Sequence, residues 1–204
     1  MEVKTQVANL ALSRLGNKGS VENMDNPQKQ VEIVCSKWWD VSRITALKYM
    51  MPSFARKRVK LAQDESYNCA FGYTKAYLYP NDCVKLLGIG NINEKTNNYA
   101  VEDNHILTND IYVDGLPVRY VANVEDVSKF TQDFIELFSW ILARDIAPEL
   151  EYSIEQFQQI EKILPAKIIE YCGVDAQENK PIRISHSKLQ MARLGLYPFG
   201  ENKY

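Results

Sequence analysis

The chain has 204 residues, of which 46% are hydrophobic and 25% are charged, and its net charge is −2. These values are typical of an ordinary globular protein with room for an ample core, and they argue against a strongly basic nucleic-acid-binding protein. No apolar run reaches the length of a membrane span and no signal peptide precedes the first helix, so we expect folding in a reducing cytosol. The cysteines form no CxxC pair and have no histidine at zinc-ligand spacing. They are Cys35, Cys69, Cys83 and Cys172.

Helical periodicity dominates the first fifty residues. Apolar side chains recur at helical spacing over residues 4–15, and Gly16 supplies a left-handed stop. A second helix is predicted to begin at Asn26 as the N-cap, with Pro27 in the first helical position, and to end before Pro52.

The hydrophobic period changes over residues 67–124. Short apolar segments at 73–80 and 84–90, followed by shorter pieces, predict strands. Turn sequences separate these pieces, and they are Asn81-Asp82, Asp103-Asn104 and Asp114-Gly115. We therefore predict a small antiparallel β-meander inserted between helices.

Two further helices follow. The third is predicted over residues 127–146. The fourth begins at Ser153, which forms a capping-box pattern with Gln156, and Pro165 is expected to kink or split it before it ends at Gly173.

The predicted fold class is α+β and mostly helical: a four-helix bundle with an inserted small antiparallel β-meander and an extended C-terminal arm. Residues 1–66 and 125–175 form the helical bundle domain, 67–124 the inserted β-domain, and 176–204 the C-terminal docking arm.

The C-terminal arm differs in composition from the rest. It carries five Lys and Arg against two Glu, whereas residues 1–175 are acidic, although a surplus this small can arise by chance. It has too many apolar residues for a solvated linker and too few for a separate core. We expect these residues to be buried on another chain. The candidate interface residues are Ile182, Ile184, Leu189, Met191, Arg193, Leu194, Leu196, Tyr197 and Phe199.

Residues with catalytic chemistry are few. The only histidines, His105 and His186, lack evident partners, and a structural role is the better interpretation of Cys83. The closest carboxylate pairs are Glu149 with Glu151 and Asp64 with Glu65. A hydrolase would use such a pair, but solvation at helix ends is the ordinary explanation.

A basic run covers residues 55–62. Its cations are Arg56, Lys57, Arg58 and Lys60. They could contact a phosphate backbone, but a solvated turn near a helix C-terminus, or a partner interface, is the favoured interpretation.

Several short motifs follow one another along residues 5–175. In chain order they are ALSRLG, MPSFARKRVKLA with Met51 in place of a usual Trp, YLYPNDCVKLL, ILT, RYV, and the Phe130, Phe134, Leu142-Ala143, Ile146-Ala147, Leu150, Ser153 pattern. Together they resemble the head-to-tail adaptor of short-tailed bacteriophages, also called tail tubular protein A.

The resemblance implies a structural virion protein without an active site, cofactor or metal. Such an adaptor is assembled in the host bacterial cytoplasm and located in the virion tail at the portal vertex. It forms a dodecameric ring that joins the portal protein to the tail nozzle protein and extends the DNA ejection channel. Viral DNA passes through the lumen without sequence-specific binding, and the C-terminal arm contacts the portal or a neighbouring subunit. A tail-associated cell-wall hydrolase and another head-completion connector protein remain the alternatives.

Overall fold

The computed structural model describes residues 3–16, 20–90 and 98–178. The helices are α1 (Val3–Arg14), α2 (Gln30–Met50), α3 (Gln132–Ile146) and α4 (Ile154–Glu178). The strands are β1 (Arg56–Leu61), β2 (Lys75–Leu78), β3 (Cys83–Ile89), β4 (Tyr99–Glu102), β5 (His105–Thr108) and β6 (Leu116–Ala122). Short 3-10 turns at Ser53–Ala55 and Val127–Lys129 precede β1 and α3.

Helix α3 is the centre of the helical core. Its N-terminus is capped by Thr131, whose Oγ1 accepts a hydrogen bond from the backbone N–H of Phe134 at 3.4 Å. Its buried residues lie on more than one side of the helix, so it packs against α1, α2 and α4 together. They are Phe134, Ile135, Leu137, Phe138, Ser139, Ile141, Leu142, Ala143 and Ile146.

The six strands form two three-stranded antiparallel sheets. The strand order is β1-β6-β3 in one sheet and β2-β5-β4 in the other. Tyr77 and Ile106 from the second sheet share an apolar cluster with Leu116, Val118 and Tyr120 from the first. The sheets therefore enclose a core of their own, distinct from the core around α3.

A buried arginine joins the helices to the first sheet. Arg43 of α2 is only 2% exposed. Its Nη1 donates to Asn123 Oδ1 at 2.6 Å and to the Val124 carbonyl at 2.7 Å, just after β6. Its Nε and Nη2 donate to Asp40 on the same helix. This network fixes the end of β6 against α2.

The predicted four-helix bundle with an inserted β-meander is wrong, although the chain is α+β. Two separate three-stranded sheets replace the meander, because consecutive strands β2 and β3 belong to different sheets, as do β5 and β6. Of the three predicted turns, only Asp103-Asn104 makes a hairpin of neighbouring strands, with φ of 45° and 57° at the two residues. The Asp114-Gly115 turn lies in a connection between the sheets.

Strand β1 was also missed, since residues 56–61 were interpreted as a solvated turn. The strand forms because its whole length pairs with β6 in antiparallel register. The division into three domains stays a prediction, but β1 lies before its boundary at residue 67. Residues 179–204, most of the predicted arm, lie outside the described residues.

Helix ends were predicted with mixed success. The capping box at the start of α4 is confirmed: the Ser153 N–H donates to Gln156 Oε1, and the Gln156 N–H donates to Ser153 Oγ. Helix α2 begins at Gln30 and not at Asn26, because Glu32 accepts hydrogen bonds from backbone N–H groups of residues 22, 23, 28 and 29 and holds that segment as a loop.

Neither Pro165 nor Gly173 interrupts α4, so the expected split at Pro165 and the expected end at Gly173 are wrong, while the expected kink stays a prediction. Pro165 is exposed, so the backbone carbonyl that loses its partner to proline can be hydrated by water.

Replacing Arg43 with Met should lower the free energy of unfolding by about 2–3 kcal/mol, because the half-buried Asn123 side chain and Val124 carbonyl lose charge-assisted hydrogen bonds from a buried arginine. Urea denaturation followed by circular dichroism measures the change. Arg58→Met is the matched control on exposed β1, with an expected change within about 0.5 kcal/mol. Equal effects of the two substitutions would show that Arg43 does not join the helices to the sheet.

Candidate interaction surface

Two neighbouring loops expose large apolar side chains. The loop before β2 and the loop between β5 and β6 are tied together by Asn109, whose Nδ2 donates to the Gly72 carbonyl at 3.0 Å and whose Oδ1 accepts from the Thr74 N–H at 2.9 Å. We call residues 67–74 and 109–115 the apolar loop pair. These connections hold the two loops side by side.

The apolar loop pair carries three side chains that are almost fully exposed. Phe71 is 89%, Ile111 77% and Val113 97% exposed. A single exposed apolar residue is ordinary, but several on adjoining loops make this surface a candidate for binding another molecule.

The apolar loop pair adjoins the end of β6 that lies away from the helices. Leu116 begins β6 directly after the second loop, whereas Val121 near the other end of the strand belongs to the helical core. The exposed side chains of the apolar loop pair therefore lie at the edge of the sheets, away from the helical core.

The sequence contained a signal for this surface that was misinterpreted. Ile111 and Val113 fall in one of the short apolar pieces that the sequence predicts as strands. In the structure they lie in the loop before β6 and are exposed. Phe71 lies in the short Cys-Ala-Phe-Gly-Tyr segment, whose sequence gives no separate signal of exposure.

The basic run predicted from sequence becomes β1, and its side chains divide between the two faces of the sheet. Lys57 forms an ion pair with Asp82 at 2.6 Å, and Tyr120 Oη donates to the other oxygen of the same carboxylate at 2.8 Å. Arg58 and Lys60 are exposed. Arg58 lies directly opposite Arg119 of β6.

An open groove of about 620 Å³ lies between α2 and α4. Trp38, Glu149, Phe157 and Glu161 are among its lining residues. Glu149 accepts hydrogen bonds from Lys37 Nζ at 2.8 Å and from Trp38 Nε1 at 2.6 Å, which lower the pKa of its carboxyl. A glycosidase acid requires a raised pKa, so the geometry at Glu149 does not favour that role.

The other carboxylate candidate, Asp64, is also held as an acceptor. Ser66 donates to Oδ1 from both its hydroxyl and its backbone N–H, and His105 approaches Oδ2 at 3.1 Å. These contacts lower the pKa of Asp64 to about 2.

His105 is a buried histidine with acceptors at both ring nitrogens. Nδ1 lies 2.7 Å from the Asp103 carbonyl, Nε2 faces Asp64, and the ring packs on Tyr67 at a centroid distance of 4.1 Å. Burial lowers the pKa of His105, but the hydrogen bonds with Asp103 and Asp64 outweigh it, so the pKa is raised. This arrangement ties the segment after β1 to the β4–β5 hairpin.

The Cys83 thiol donates to Tyr79 Oη at 3.0 Å, and burial raises its pKa. This environment does not activate a nucleophile. Within the described ranges, no three His, Cys, Asp or Glu side chains are grouped as metal ligands. The nine candidate interface residues of the arm and His186 lie outside those ranges.

No protein-family model matches this chain, and no curated protein is significantly similar to it. None of the helices in residues 3–16, 20–90 and 98–178 is long and apolar enough to cross a lipid bilayer.

Replacing His105 with Gln should remove a pH-dependent part of the stability. Because folding raises the pKa of His105 from 6.5, its stabilising effect is fully present below that pH and is lost as pH rises through the folded pKa. The lowered pKa of Asp64 adds stability above pH 3.8 that is lost as pH falls through about 2.

The Tm difference between wild type and His105→Gln should therefore be larger at about pH 5.5 than at about pH 8.5, as thermal unfolding would measure. Asp64→Asn is the matched control, and it should reduce the same pH dependence without removing it, because the hydrogen bond with the Asp103 carbonyl also raises the pKa of His105. A Tm difference between wild type and His105→Gln that is equal at both pH values would contradict the ion pair of His105 with Asp64.

Proposed function

We propose that this protein is a head-to-tail adaptor of a short-tailed bacteriophage. Its copies form a ring at the portal vertex, bind the portal protein and the tail nozzle protein, and extend the DNA ejection channel. The observation that carries the proposal is the apolar loop pair, because a protein that exposes Phe71, Ile111 and Val113 together is suited to binding other proteins.

The resemblance in sequence gives the proposal its specific form, and the contacts between its motifs support treating them as one pattern. Asp82 of YLYPNDCVKLL accepts a hydrogen bond from Tyr120 of RYV at 2.8 Å. Phe54 of MPSFARKRVKLA packs against Phe134 of the last motif at a centroid distance of 5.2 Å. Segments far apart in the chain thus meet in pairs, as parts of one fold would.

The C-terminal arm is the second binding element of the proposal. Helix α4 runs to Glu178, and the remaining residues contain the apolar and basic side chains of the predicted portal interface. Their sequence is suited to docking on an acidic, partly apolar surface of the portal or of a neighbouring subunit.

The direct experiment mixes the purified protein with the portal protein from the same genome and images the product by negative-stain electron microscopy. We expect an added ring on one face of the portal. Binding elsewhere on the capsid vertex would favour another head-completion protein. Clearing of peptidoglycan by the purified protein, lost after Glu149→Gln, would favour the hydrolase.

Deleting residues 179–204 should abolish portal attachment and leave the described core folded, because the deletion begins after α4. A pull-down with portal rings measures attachment, and circular dichroism measures folding. Undiminished attachment of a folded deletion variant would contradict the docking role of the arm.

The triple substitution Phe71→Ser, Ile111→Ser and Val113→Ser should prevent binding of the nozzle protein to adaptor–portal complexes. Stability should change little, since all three side chains are exposed. The matched control is Ile154→Ser with Ile169→Ser on α4, whose side chains are 71% and 74% exposed. Nozzle binding by the triple variant at the wild-type level would rule out the apolar loop pair as the contact.

A further inference from the structure

Three cations share the open face of the β1-β6-β3 sheet. Successive side chains of a strand point to opposite faces, and Val59 packs into the core between the sheets. Arg58 and Lys60 therefore project to the other face. The register of β1 and β6 places Arg119 directly across from Arg58 on that face.

The two arginines repel each other. Like charges directly opposite on neighbouring strands destabilise a sheet. Among the described residues, neither Arg58 nor Arg119 has an ion pair or a hydrogen bond through its side chain. Lys60 contacts only the exposed Asp114 at 3.4 Å, a pair of small energetic value. An anion placed between the two guanidinium groups would relieve this repulsion.

The local shape leaves room for such an anion. A shallow groove of about 280 Å³ is lined by the three cations together with Gly90 and Pro117. On the other side of Arg119, the register places Gly88 of β3, where a Cβ would lie 3.5 Å from Arg119 Nη2. The Arg119 guanidinium therefore lies close to Gly88 at the surface of the sheet. Arg119 as a whole is half-buried.

We propose that this face, which we call the cationic face (Arg58, Lys60 and Arg119), binds the phosphate backbone of a nucleic acid without reading its bases. Guanidinium groups bind phosphate oxygens in a bidentate manner. Arg58 and Lys60 are two residues apart on a strand, about 6.6 Å, so they present charge repeatedly along a line.

A chain of phosphates can neutralise all three cations at once. No aromatic side chain lines the groove among the described residues, so base stacking is not part of the site. The net charge of −2 implies weak, salt-sensitive binding confined to this face. This inference goes beyond the proposed function and does not depend on it.

The test uses fluorescence polarisation of labelled single-stranded and duplex DNA at several salt concentrations with the full chain. Three contacts predict a slope of log affinity against log salt of about −2.7 for duplex and about −2.1 for single strands. In Arg58→Gln/Arg119→Gln the slope should fall to about −0.9 for duplex, with a loss of affinity of about tenfold or more at low salt. An unchanged slope in this variant would overturn the proposal.

The matched control is Lys129→Gln/Lys162→Gln, which removes the same charge from exposed positions outside the sheets. The slope of log affinity against log salt for this control should equal that of the wild type. An equal loss of DNA affinity in the control and in Arg58→Gln/Arg119→Gln would overturn the proposal of a localised site. Competition with polyglutamate separates phosphate from carboxylate. Displacement of labelled DNA by polyglutamate as efficiently as by unlabelled DNA would overturn the proposal in favour of an acidic protein partner. If the protein binds DNA through the cationic face but does not attach to the portal, the adaptor function is refuted and the proposal for the cationic face stands.

Discussion

The structure depends on the burial of α3 on several sides. A helix with a single apolar stripe needs one neighbour, but α3 buries positions as close in sequence as Phe134, Ile135, Leu137 and Phe138. Together with Ser139 and Ala143, those buried positions surround more than half of the helix, so α1, α2 and α4 all pack on it. Because α3 follows β6 in the chain, the burial of the apolar surface of α3 also determines where the sheets attach to the helices.

The attachment is polar and buried, which makes it specific. Arg43 can satisfy its donors only when Asn123 and the Val124 carbonyl lie against α2. Asp82 adds a second connection within the sheets by accepting from Tyr120 and Lys57. Apolar packing alone would tolerate other relative positions, whereas an unsatisfied buried arginine is costly.

The surfaces available for binding follow from this arrangement. Helices cover one part of the first sheet, near Val121, and leave Arg58 and Arg119 open farther along the same strands. The apolar loop pair lies at the same end of β6, so an apolar and a cationic surface occur on the sheet part of the molecule. For the adaptor proposed here, those surfaces would allow protein contacts and contact with DNA to be made by different residues.

The helices and their local signals were largely predictable from sequence, because capping and apolar periodicity depend on residues a few positions apart. The capping box of Ser153 and Gln156 and the Asp103-Asn104 hairpin are examples. Sequence alone did not determine the start of α2, since the carboxylate of Glu32 accepts from the N–H groups of Gln28 and Lys29 and also from those of Glu22 and Asn23 in the preceding loop.

Only the tertiary structure decided the sheets and the candidate surfaces. Whether residues 56–61 form a strand depends on a partner, β6, that lies more than fifty residues later in the chain. The opposition of Arg58 and Arg119 depends on the register of that pairing, and a shift of one residue would separate them. Sequence thus determined composition, helical periodicity and local caps, whereas long-range strand pairing decided which charges and apolar groups remained exposed.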